Sequence, residues 1–184
     1  MLKIIPLGKV DSRIIDCALR SLSMYGIRPS LERPLPLQDS AFSVFRKQYN
    51  ADELLCQIQA DGPLIALTAE DMYARKLNYI FSRADKEEKK AVVSFARFDP
   101  SFFGRPHNER LLFDRLVKEI RKIFGAINGI ECREKCVMED STTVFALDAK
   151  TPGFCRECVS KISGDVNDAK KEERRGSLDR IFGC

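Results

Sequence analysis

The sequence predicts an α/β domain carrying a small cysteine-stapled module towards its carboxy-terminal end. Three observations lead there. Short apolar runs bounded by turn residues alternate with stretches of helical period. One of those stretches, Glu109 to Ile127, is long and strongly amphipathic. Four of the seven cysteines fall in two close pairs, Cys132 with Cys136 and Cys155 with Cys158. A chain of 184 residues suits one domain with one sizeable core.

The elements follow in order. Leu2 to Leu7 is a short apolar run and reads as a buried strand. Asp11 to Tyr25 reads as a helix, with Asp11 or Ser12 as its cap and Gly26 as its terminator. Ile27 to Glu32 reads as a second strand, stopped by Arg33-Pro34-Leu35-Pro36. Asn50 caps a helix from Ala51 to about Gln59. Asp61-Gly62 is a turn, and Pro63 to Thr68 is an apolar strand. Leu77 to Ser82 and Ala91 to Phe98 read as two more strands, with Lys86-Glu87-Glu88-Lys89-Lys90 as a solvated tip between them. Asp99 to Asn108 is a loop that holds the sole histidine, His107, as a loop or capping residue. In the long helix, Phe113, Leu116, Val117, Ile120, Ile123, Phe124 and Ile127 share one face; Lys122 and Ala126 lie opposite, with Glu119 at the edge.

The last section changes character. The two cysteine pairs have the spacing of a closed tetrahedral zinc site, with four thiolates and no position left for water. Such a site stabilises structure and performs no hydrolysis. Arg133, Lys135 and Arg156 beside the cysteines favour their thiolate forms. Iron could fill the same ligand set, and a redox pair at Cys155 and Cys158 is a further alternative. Cys17 and Cys56 lie in apolar helical patterns and read as core thiols. The division is therefore 1–163 for the domain, with the stapled segment 132–158 inside it, and 164–184 for a charged tail.

Within this frame the chain resembles the archaemetzincins, a family of small zinc-dependent metallopeptidases of the metzincin group. The resemblance rests on Gln48 to Leu55, Leu77 to Phe81, Ala91 to Arg97, Lys118-Glu119, Cys136-Val137-Met138 and the pair Cys155 and Cys158. It implies a metzincin-like mixed twisted sheet with packed helices. The family pattern is H-E-x-x-H-x-x-G-x-x-H-C, then a cysteine and methionine, then C-x-x-C. Aligned on Gly125 and Gly129, the first histidine falls at Lys122, the glutamate at Ile123 and the second histidine at Ala126. The third falls at Glu131 or in a one-residue gap, and Met138 stands where the family places a methionine beneath its catalytic zinc.

A catalytic zinc of that kind needs three nitrogen ligands and an activated water. Lys122 repels a cation, Ala126 donates nothing, and Ile123 cannot act as a general base. One histidine in the chain excludes any site built from two or three. The expectation is one structural zinc on Cys132, Cys136, Cys155 and Cys158, with no catalytic zinc. For Lys122 the leading expectation is a solvated surface lysine, because lysines usually reach water. The rival is an ammonium in the vacated metal position, paired with Glu119 or Glu131.

The function expected is therefore binding of a peptide or protein by an inactive peptidase scaffold. The alternative is a hydrolase with a displaced metal site. Nucleic acid ranks below both, because the charge is interspersed and the net charge is only +4. A composition 44% hydrophobic and 32% charged is that of an ordinary globular chain. No apolar run suits a membrane span or an export signal, so the expected compartment is the cytoplasm.

Overall fold

The computed structural model describes residues 1–59, 61–132 and 135–162. In chain order it holds β1 (Lys3–Leu7), α1 (Ser12–Arg20), β2 (Ser30–Leu31), β3 (Phe42–Ser43), β4 (Gln48–Asn50), α2 (Ala51–Gln57) and β5 (Leu64–Thr68). Then come β6 (Met72–Tyr73), β7 (Ser82–Asp85), β8 (Lys90–Ser94), α3 (Glu109–Ile127) and α4 (Val144–Ala149). Residues 156–162 are also helical. The main sheet runs β2-β1-β5-β8-β7. Its first four strands are parallel, and β7 closes one edge antiparallel to β8. This is the mixed sheet with packed helices expected from the sequence. A second, small sheet runs β3-β4-β6.

The inner strands read as continuous apolar runs because both faces of the sheet are covered. Ile4, Ile65, Leu67, Ala91 and Val93 face a core shared with α1 and α3. Their neighbours Ile5, Leu64, Ala66 and Val92 face the other way, onto Leu54 and Leu55 of α2. The two-residue period of the strand sorts one apolar run into two cores. Among the described residues no helix is long and apolar enough to cross a membrane.

Caps set the helix ends. Asp11 Oδ1 accepts from Arg13 N, Asn50 Oδ1 from Asp52 N, and Asn108 Oδ1 from Leu111 N. At the end of α3, Gly129 takes φ +69° and donates to Ala126 O, while Ile130 donates to Gly125 O. That is a Schellman ending, which a glycine in the left-handed region makes accessible.

Several sequence expectations shift. The first helix stops at Arg20; a 3-10 turn, Ser23–Tyr25, precedes Gly26, which does adopt φ +75°. The second strand shortens to Ser30–Leu31. Leu77 to Phe81 is not a strand. Ile80 makes only a bridge to Met72, and Tyr79 packs half-buried against the core with its hydroxyl donating to Thr142 O. The edge strand starts at Ser82 instead, and β8 ends at Ser94 rather than Phe98. Lys90 does not belong to the solvated tip. It is a buried strand residue paired with Glu88. Cys56 is exposed, not in the core; it lines an open cavity between α2 and the edge strand β7. Phe98 is buried, and Phe102 and Phe103 are exposed on a 3-10 turn. The segment 164–184, with Cys184, lies outside the described residues.

Candidate functional site

Helix α3 is the spine of the site. It is buried nearly all round, so its polar residues need internal partners. Arg115 donates to both carboxylate oxygens of Asp148, each at 2.7 Å, and to Phe98 O at 2.6 Å. Lys118 Nζ donates to the carbonyls of Leu147 and Asp148. These bonds clamp α4 onto α3 and fix the loop between the cysteine pairs.

One turn further along lies Glu119, placed at the helix edge by periodicity alone and 0% exposed in the structure. Its Oε1 accepts from Lys122 Nζ at 2.6 Å and from Ser82 Oγ at 2.5 Å. Lys122 is therefore not the solvated lysine that base chemistry favours: only 13% of its side chain is exposed. Its partner is Glu119. Glu131 is exposed, and its backbone carbonyl accepts from Lys161. Burial pushes the Glu119 carboxyl up, but Lys122 and Lys150, with the hydrogen bonds from Lys122 and Ser82, outweigh it and hold the group below its ordinary value. Lys150, itself buried, bonds Glu139 O at 2.9 Å. Its own desolvation, opposed by Glu119, pushes its ammonium down to about 8.

Lys122 opens into a cavity of about 290 Å³ lined by Leu77 to Ser82, Ser141 and Thr142. The cleft thus lies between α3 and the edge of the sheet at β7. The other two aligned positions contribute nothing polar to it: Ile123 is buried in the core and Ala126 has no donor atom. A metal ion does not fit this cleft. Its nearest carboxylate is already paired with an ammonium that occupies the space, and among the described residues no second or third ligand converges there. Sequence reasoning missed Ser82, Ser141 and Lys150. They come from three separate loops and strands, and no local spacing marks them.

Gly125 has a different role. A methyl group there would collide with Met138 Sδ and Cε and press on Phe154. The glycine lets Met138 pack directly on α3 beside the cleft.

The second constellation does fit a metal. The Sγ atoms of Cys132, Cys136, Cys155 and Cys158 all lie within 4.8 Å of one another. Cys132 and Cys155 are 3.5 Å apart, and Cys136 and Cys158 3.8 Å. A tetrahedron with metal–sulfur bonds of about 2.3 Å has sulfurs about 3.8 Å apart. Cys155 N donates to Cys136 Sγ at 3.2 Å, the kind of outer hydrogen bond that orients a ligand. The backbone N–H of Cys158 leads the lowering of the Cys155 thiol, while burial pushes Cys158 up. The first turn of helix 156–162 supplies the lowering through the backbone; of the side-chain cations expected in that role, Arg133 lies outside the described residues. Among the described residues no other group of three His, Cys, Asp or Glu could hold an ion. His107 is exposed in its loop and pairs with Asp99.

The module is docked on the rest of the domain. Arg121 bonds Ser21 O and Pro152 O, and Phe154 N donates to the Tyr25 hydroxyl. Tyr25 and Phe154 also meet edge to face at 4.9 Å.

Comparison with known proteins places this geometry. The model of peptidase family M54 matches residues 37–164. An archaemetzincin of Pyrococcus abyssi is 31% identical over 180 residues, covering 90% of this chain and 96% of its own length. The crystal structure of the Methanopyrus kandleri archaemetzincin superposes with a TM-score of 0.76 at 28% identity, covering 91% of this chain and 96% of that one. That of the Archaeoglobus fulgidus archaemetzincin, complexed with malonate, gives 0.75 at 25% identity, covering 88% and 99%.

Proposed function

Because the chain belongs to peptidase family M54, the archaemetzincins, we propose that it keeps the family scaffold as a peptide-binding protein without hydrolytic activity. One structural zinc on Cys132, Cys136, Cys155 and Cys158 holds its carboxy-terminal module. The observation that carries this reading is the ion pair between Lys122 and Glu119, 2.6 Å long and buried in the cleft. It stands where the family pattern has its first zinc-binding histidine. A buried ammonium excludes a dication from the same space by charge and by volume. Ile123 leaves the general-base position without a proton acceptor.

The cleft retains what a peptide needs. Among the described residues β7 pairs only with β8, so its other edge is open to an added strand. The cavity beside it has room for a side chain or a chain end. The four thiolates suit zinc, which takes tetrahedral sulfur ligands without redox change. No disulfide links the described cysteines, which suits a reducing compartment such as the cytoplasm.

Metal analysis of the purified chain, paired with a peptidase screen, tests the reading. One zinc per chain and no cleavage are expected. Two metal ions per chain, or cleavage that stops with a chelator and with Glu119→Gln, would overturn it.

A further inference from the structure

We propose that the cleft is a carboxylate receptor, in which Lys122 Nζ and the Ser141 hydroxyl take the carboxylate of a bound peptide, from its carboxy terminus or from an acidic side chain. This rests on the peptide-binding reading and names the ligand chemistry of the same site.

The argument begins with unused hydrogen-bond donors. An ammonium carries three N–H donors. Lys122 gives one to Glu119 and makes no other hydrogen bond among the described residues. Its side chain is only 13% exposed, so bulk water reaches it poorly. Ser141 lines the same cavity, and its Oγ is buried with no hydrogen-bond partner among the described residues; the other oxygen of Glu119, Oε2, is likewise unpartnered, but it is not a donor. Ser82 Oγ is already spent on Glu119. Two residues with unmet donors on one cavity mark a place for an acceptor.

Charge decides which acceptor. Glu119 is shared between two cations, Lys122 and Lys150, so it neutralises neither completely. The remaining positive character at the ammonium favours an anion over a neutral carbonyl. One ammonium and one hydroxyl match the two oxygens of a carboxylate. A phosphate dianion would require more donors than the lining of the cavity supplies. Glu119 acts here as a positioning residue: it holds the ammonium through Oε1 while Lys122 lines the cavity.

Fluorescence anisotropy on the full chain, purified without chelator, tests the assignment. The probes are labelled pentapeptides of one apolar sequence with a free carboxy terminus or a terminal amide, and fully capped peptides carrying Asp or Asn. Succinate serves as a small competitor. Carboxylate-bearing peptides should bind roughly tenfold or more tighter than their amide or Asn counterparts, as expected for a charge-assisted hydrogen bond. That preference should vanish in Lys122→Met and weaken in Ser141→Ala. The double variant Lys122→Met/Glu119→Gln leaves neither partner of the ion pair charged, and it stands in if the single variant does not fold. Which carboxylate wins identifies the source. Equal binding of all peptides, unaffected by Lys122, overturns the carboxylate assignment and leaves the peptide cleft standing. Succinate binding through Lys122 as tightly as any peptide overturns the peptide reading and keeps the carboxylate site. Binding of no probe overturns both.

Discussion

The cysteine module and the cleft lie at opposite ends of one comparison, because both are places where this scaffold can gather ligands for a metal. The module gathers four identical soft donors at tetrahedral spacing. The cleft gathers one carboxylate and one ammonium at 2.6 Å, with a second ammonium, that of Lys150, acting on the same carboxylate. The difference is one of charge. Four thiolates repel one another and need a cation between them. Glu119 already has its cation, supplied by the chain on the next turn of the same helix. An internal counter-ion thus occupies the space beside Glu119 and pairs its Oε1, while Oε2 is buried without a hydrogen-bond partner among the described residues.

The largest expected effect is at the module. Cys158→Ser removes one thiolate from a buried site, and the free energy of metal binding, on the order of 10 kcal/mol for structural zinc, is lost to folding. Zinc content should fall to zero, with loss of the cooperative thermal transition. A variant that keeps its zinc and its melting point would mean that the four cysteines are not one site.

The cleft should respond next. Glu119→Gln leaves the ammoniums of Lys122 and Lys150 buried without their shared counter-ion, at a cost of about 3–5 kcal/mol in urea unfolding. Adding Lys122→Met should recover part of that loss, so the double variant is more stable than the sum of the singles. Additive losses would show that the pair is not coupled, and the cleft would no longer differ from an ordinary polar surface.

The smallest effect sharpens the comparison through pH. The Lys150 ammonium is pushed down to about 8 in the folded chain, against an ordinary 10.5. Below pH 8 both states hold the proton, and the cost of burying it is fully present. Between 8 and 10.5 the unfolded chain keeps a proton that the folded chain has released, so stability rises with pH in that window. Relative to Lys150→Met, the native chain should gain about 1–3 kcal/mol between pH 7.5 and 10. A difference that stays flat with pH would place Lys150 in solvent.

The long helix was legible because its signals are local. Asn108 caps it and Gly129 ends it, and its bounds, Glu109–Ile127, are those the periodicity predicts. The cysteine pairs were legible as well, because two short spacings leave few alternatives. The strand expected over Leu77 to Ser82 failed where local and tertiary preferences part. Those residues favour an extended chain, but Tyr79 packs on the core and bonds Thr142 O, and pairing with β8 begins only at Ser82. Cys56 looked like core because of the apolar helical pattern around it, and only the packing of α2 beside the edge strand leaves it exposed.

By itself the sequence determined the α/β class, the ends of the longest helix, the family frame and the absence of histidines at the aligned positions. Each follows from residue type and spacing along the chain. Only the tertiary structure decided what Lys122 does. Glu119, Ser82, Ser141 and Lys150 are scattered from 82 to 150 and converge through the packing of α3 against the edge of the sheet. Burial then turns an ordinary lysine into a held ammonium, because an ion removed from water must find its partner within the fold.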